Sequence, residues 1–233
     1  MRRTLVSIGI ILLLVTGCGK SPDTLMDLAR EQTASGEYDL AIQSYDEVLN
    51  IHPDDSLAAD ALYAKARVFL DNKSDYEQGF TFLRQVTEQY PDSKIAGIAA
   101  SEVAYFPDWL QNVAESYRNK NEIQKAIQAL QYLVEHFPDS EKAPRAQYLI
   151  GDIYMNDLRD FTKAIGNYQQ VIEQFAGSGQ DAHAQFMIGY IYANILQDED
   201  QARLAYQTFI DTYPTHELIP SVSFELEYLG MDI

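Results

Sequence analysis

The sequence predicts an all-α protein, an α-solenoid of about five helix pairs closed by a C-terminal helix. Three observations predict it. A related segment recurs five times along the chain. Within each copy apolar residues return every three or four positions, which lines one face of a helix. Four of the five copies close on a proline, which a helix interior does not tolerate.

The first element precedes the repeats. Arg2 and Arg3 form a basic head, Leu5 to Val15 is apolar apart from Ser7 and Gly9, and Thr16 and Gly17 are small. These are the parts of a secretory signal, and the apolar stretch falls short of the roughly 20 residues that span a bilayer. Cys18 follows and is the only cysteine of the chain. Val15-Thr16-Gly17-Cys18 resembles the lipobox of bacterial lipoproteins. That resemblance implies cleavage before Cys18, a lipid on its thiol and an acyl chain on the new N-terminus. Two or more chains anchor a protein stably where one does so marginally. An ordinary signal with an incidental cysteine is the alternative. Gly19 stands where an aspartate retains enterobacterial members at the inner membrane, so the resemblance implies forwarding to the outer membrane. The expected organisation is a signal at 1–17, Cys18 with a short tether at 18–22, repeats at 23–217 and a capping helix at 218–233.

Composition narrows the partners. The formal net charge is −18, and it becomes more negative once Arg2 and Arg3 are removed. Such a surface repels nucleic acid and anionic lipid headgroups. Partners should therefore be proteins with basic or apolar patches. An apolar content of 46% is too high for a disordered chain.

The repeats follow in order. They open at Glu37, Asp75, Glu122, Asp160 and Asp198, with a small residue at Ala41, Gly79, Ala126, Ala164 and Ala202, at steps of 38, 47, 38 and 38 residues. Twelve residues after each small residue comes Pro53, Pro91, Pro138, Ala176 or Pro214. In the first copy Tyr38, Ala41, Ile42, Tyr45, Val48 and Leu49 share a face. A small side chain lets a partner helix approach to the close end of roughly 8–10 Å. Each segment is preceded by another helical pattern. There the small residue is Ala66, Ala114, Gly151 or Gly189, and an aromatic residue follows three positions on. Glycine inside a helix costs roughly 1 kcal/mol against alanine, so its use at Gly151 and Gly189 points to close contact. The 47-residue step contains Pro107, which predicts an extra helix, a break near Phe106, and the third repeat's own helix from Pro107. Ile219, Val222, Leu226 and Leu229 share a face of a final helix, with Pro220 in its first turn and Gly230 as its stop. An open array needs such a cap.

Paired helices with these small, aromatic and proline positions resemble the tetratricopeptide repeat, over about Asp23 to Pro214. The resemblance implies a right-handed solenoid. The 38-residue step departs from the usual, roughly 34, and with "YPDS" and "FPDS" endings is similar to a variant of bacterial envelope proteins. Gly79 and Lys65 depart from the pattern, at positions where alanine or an apolar residue is usual.

No chemistry-bearing constellation accompanies the repeats. His52, His136, His183 and His216 lack the i, i+4 spacing of a helical metal site. Asp198-Glu199-Asp200 precedes a helix, where acids cap and complement the dipole. Trp109 reads as core. The chain is expected to be no enzyme and to hold no cofactor or metal.

The repeats and Cys18 together are similar to the BamD-like family of outer-membrane lipoproteins. That implies a lipid-anchored scaffold at the periplasmic face of the outer membrane, binding proteins or extended peptides, in outer-membrane protein assembly. The alternatives are a CpoB-like coordinator of cell-wall synthesis and envelope constriction, whose coiled coil has no counterpart here, and an accessory subunit of an envelope enzyme. In the repeat family the concave face is lined from slots held here by Tyr63, Tyr148 and Phe186, and by Arg67, Asp152, Tyr190 and Asn194. The resemblance makes these the expected protein-binding residues. The competing reading is that the three aromatics Tyr63, Tyr148 and Phe186 are wedges between consecutive repeats.

Overall fold

Among the described residues, 20–229, a computed structural model shows twelve helices and no strand. Cys18, the signal and Gly230 lie outside the described residues. The helices are α1 (Pro22–Ala34), α2 (Tyr38–Ile51), α3 (Ala58–Arg67), α4 (Tyr76–Gln89), α5 (Lys94–Ala104), α6 (Phe106–Asn119), α7 (Ile123–His136), α8 (Ala143–Asn156), α9 (Phe161–Gln174), α10 (Gln180–Ile191), α11 (Glu199–Thr212) and α12 (Ile219–Tyr228). Five pairs, α1–α2, α3–α4, α6–α7, α8–α9 and α10–α11, pack side by side. The first, third and fourth pairs also pack on their successors, and α5 follows α4 between the second and third pairs. The result is an α-solenoid.

The second helix of every pair has the same length, 14 residues. Its boundaries have a shared cause. An acid stands just before each, and the carboxylates of Asp75, Asp160 and Asp198 accept a hydrogen bond from the backbone N–H three residues on, each at 3.1 Å. This satisfies a donor that the first turn leaves without an intrahelical partner. The residue before each acid turns the chain with a positive φ: Gly36, Ser74, Asn121, Arg159 and Gln197, between 53° and 79°. At the far end His52, Tyr90, Phe137, Phe175 and Tyr213 share φ between −131° and −124°. Phe175 stops its helix this way although Ala176 follows its cap where the other repeats carry proline. There Asp181 organises the glycine turn, accepting from Gly177 N at 2.7 Å and Gly179 N at 3.0 Å.

The small residues lie where the helices meet. Ala41, Ala126, Ala164 and Ala202 are fully buried. Leucine at Ala164 should overpack the α8–α9 contact and lower stability by roughly 1–3 kcal/mol; an unchanged urea midpoint would refute close pairing there. At Gly151 a Cβ would stand 2.8 Å from the Tyr168 ring, and at Gly189 it would overlap Tyr206. Gly79 serves the same purpose against Leu70. Lys65, the other irregular position, buries its stem and places Nζ 2.6 Å from Asp46 and 4.1 Å above the Phe82 ring. Two first helices, α3 and α10, continue into π-helical turns, Val68–Lys73 and Tyr192–Leu196. The sequence pattern did not foretell these.

The break in the third repeat falls at Tyr105, and α6 begins at Phe106, one residue earlier than expected, with Pro107 in its first turn. α5 packs on α4 and α3 and touches α6 little beyond the break. An aromatic cluster fastens the joint. Phe106, 1% exposed, lies 4.6 Å from Phe80, 5.2 Å from Trp109 and 5.9 Å from Phe137, centre to centre. Trp109 is thus partly buried and packed against the core as expected. At the other end Val222 is buried, and Ile219, Leu226 and Leu229 pack beside it against the last repeat. α12 is the cap.

Candidate functional site

The expected binding residues fall on α3, α8 and α10, the first helices of their pairs, and on the π-helical turn that ends α10. They do not behave alike. Tyr63 is half-buried, and its hydroxyl donates to Glu102 Oε1 at 2.6 Å. Burial, reinforced by that carboxylate, pushes the phenol up to about 12. Arg67 donates through Nε and Nη2 to Asp71, at 3.0 and 2.6 Å, and through Nη1 to Glu102 at 3.1 Å. Burial opposes its charge, and the carboxylates of Asp71 and Glu102 more than offset that. Asp152 accepts from Arg118 Nη1 at 3.0 Å and from Asn156 Nδ2 at 2.7 Å. These three side chains therefore tie helices to one another. Tyr63 and Arg67 fasten α3 to α5, and Arg118 fastens α6 to α8, reaching Asp157 as well at 2.7 Å.

The apolar members pack within their own pairs. Tyr148 lies 5.2 Å from the Tyr168 ring, and Phe186 lies 6.1 Å from Tyr206. Burial raises the Tyr148 phenol above its ordinary value, with Asp152 adding to the effect. Tyr190 is half-buried; Asn194 is exposed and donates to the Tyr190 carbonyl at 3.4 Å.

Two openings lie beside these residues. One, of about 280 Å³, is bounded by Arg67, Glu102, Tyr105, Phe106 and Trp109, with Tyr105 66% exposed at its edge. The other, of about 270 Å³, lies between α6, α7 and α8 and includes Gln111, Arg118, Leu130 and Asp152. Arg67 and Asp152 thus each line an opening. Glu102, Tyr105 and Arg118 belong to the same surroundings and were missed, while Gln111 holds in the third repeat the slot that Tyr63, Tyr148 and Phe186 hold in theirs. Arg118 carries a signal in the sequence: it stands four residues past Ala114, and Asp152 stands one past Gly151 in the next repeat, the positions an inter-repeat ion pair would use. Among the described residues no group of three or more His, Cys, Asp or Glu is placed to hold a metal ion, and no helix is long and apolar enough to cross a membrane.

Comparison with known proteins adds the following. The family model described as outer membrane lipoprotein, YfiO, matches residues 19–158. The tetratricopeptide repeat model matches residues 145–178 and 183–216, the fourth and fifth pairs. No curated protein matches the chain. Among solved structures, YrrB, described as a tetratricopeptide-repeat protein with an unusual peptide-binding site, is 20% identical over 91% of this chain and 93% of its own, with a TM-score of 0.39. A tetratricopeptide-repeat protein of Parabacteroides merdae is 14% identical, covering 90% of this chain and 73% of that one, with a TM-score of 0.39. One from Thermus thermophilus is 16% identical, covering 89% and 100%, with a TM-score of 0.38. At these scores the likenesses say nothing further about this chain.

Proposed function

Because the chain belongs to the outer membrane lipoprotein family whose model matches residues 19–158, we propose that it is held by lipid on Cys18 at the periplasmic face of the outer membrane and serves there as a protein-binding scaffold in outer-membrane protein assembly. The observation that carries this reading is the start of the match. It begins at residue 19, directly after the one cysteine, with α1 opening at Pro22. The repeats supply the scaffold. Stacked helix pairs present an extended surface without needing a catalytic centre, and the chain's charge of −18 suits partners with basic patches.

Fractionation tests the anchor. Cys18→Ser should leave the chain unprocessed or release it from the membrane with its melting curve unchanged. If the serine variant stays in the outer-membrane fraction as the wild type does, the anchor is refuted. The binding face is tested by Tyr63→Ala, Tyr148→Ala and Tyr190→Ala, singly and together, in capture of envelope proteins identified by mass spectrometry. Lost capture with unchanged melting supports a binding face. Capture lost only in step with a falling melting temperature assigns these residues to packing between helices. Capture kept by every variant excludes them from the interface.

A further inference from the structure

The third repeat lacks what the fourth and fifth contain. In those two, an aromatic residue of the first helix meets a tyrosine of the second, Tyr148 with Tyr168 and Phe186 with Tyr206. The tyrosine ring lies over Gly151 or Gly189. The equivalent positions of the third repeat are Gln111, Leu130 and Ala114. Neither ring is present, and the opening of about 270 Å³ between α6, α7 and α8 is bounded by those same three residues. Leu149 and Ile153 add apolar wall, and the charged side chains of Glu115, Arg118, Arg145 and Asp152 complete the lining. The buried Oε1 of Gln111 has no hydrogen-bond partner among the described residues. That oxygen has no accessible surface, so an occupant of the opening would meet Gln111 through the remainder of its carboxamide.

We propose that this opening receives a tyrosine side chain from an extended, basic segment of a partner protein. Resting on the reading of the repeats as a protein-binding scaffold, the proposal names what one position of that scaffold selects. The volume is below the roughly 300–1,000 Å³ of sites for drug-sized molecules, and suits a side chain rather than a cofactor. The apolar walls suit a ring, and a phenol hydroxyl can pair with the accessible part of the Gln111 carboxamide that lines the opening. The lining carries two cations and two anions, Arg118 being already paired with Asp152 and Asp157. A neutral occupant therefore fits better than a charged one. Basic residues flanking the tyrosine would meet the acidic surface of the chain.

The test uses the purified full-length protein in detergent and three fluorescein-labelled peptides, Lys-Ala-Xaa-Ala-Lys with tyrosine, phenylalanine or alanine at Xaa. Anisotropy should show saturable binding of the tyrosine peptide. The phenylalanine peptide should bind roughly three- to tenfold more weakly, the worth of one buried hydrogen bond, and the alanine peptide should not saturate. Gln111→Leu should bring the tyrosine and phenylalanine peptides to equal affinity. Ala114→Gly/Leu130→Tyr, which copies the fourth repeat's arrangement into the third, should fill the opening and abolish binding; should this variant fail to fold, Gln111→Leu alone carries the test. Equal binding of all three peptides, no saturation up to millimolar concentration, or full binding by the filled variant would overturn the proposal. Each of those results leaves the anchor and the binding face, with their separate readouts, untouched.

Discussion

Replacing Phe106 with alanine should lower stability by roughly 3–5 kcal/mol, the range for removing a buried large aromatic. The ring is 1% exposed and lies within 6.4 Å, centre to centre, of Phe80, Trp109, Tyr132 and Phe137. Those four come from α4, α6, α7 and the residue that stops α7. Removing Phe106 therefore hollows the joint at which the second and third repeats are fastened. Urea denaturation followed by helical circular dichroism reads the loss, and the transition should also broaden or split as the two halves uncouple. The neighbouring Tyr105, 66% exposed, is the control; alanine there should shift stability by no more than about 0.5 kcal/mol. Equal midpoints for wild type and Phe106→Ala would show that the cluster does not hold the halves together.

Two glycines in the same kind of helix should respond to alanine with opposite signs. At Gly166, within α9, a Cβ would meet nothing within 4 Å. Gly166→Ala should therefore stabilise, by up to about 1 kcal/mol, through the helix preference for alanine. At Gly189, within α10, the Cβ would overlap the ring of Tyr206, which is fully buried. Overpacking of this kind costs roughly 1–3 kcal/mol and outweighs the same helix gain. Thermal melting decides it. A rise for both variants would mean that α10 and α11 sit further apart than described.

These sites show which parts of the fold were legible. Period and punctuation were written in the residues. The helical faces, the acid before each second helix, the break just before Pro107 and the final helix around Pro220 all follow from local chemistry that one turn of helix can satisfy. Gly151 and Gly189 were legible as close contacts because glycine is costly in a helix without one. What they contact was not, since Tyr168 and Tyr206 lie 17 residues further on and only packing brings them back. The π-helical ends of α3 and α10 were hidden because their residues suit an α-helix equally well. The candidate site was legible only in part for the same reason. The slots that hold Tyr63, Arg67 and Asp152 can be counted along a repeat. Whether a slot is open or already bonded depends on Glu102 and Arg118, which belong to other helices.

The equal spacing of the last two repeats bears on how such a chain changes length. Arg159 and Gln197, Gly151 and Gly189, Ala164 and Ala202, Tyr168 and Tyr206 are each separated by 38 residues, and each couple has the same backbone or packing role. Residues 152–189 are thus a unit that recombination can excise or copy in register. The new junction would set Gly151 against Tyr190, Tyr206 would take over the contact that Tyr168 now makes, and α12 would still cap the end. The 47-residue step offers no such seam. An exchange across it would have to carry α5, Tyr105 and every ring of the Phe106 cluster together, which makes that joint the part of the array that gene duplication would inherit whole.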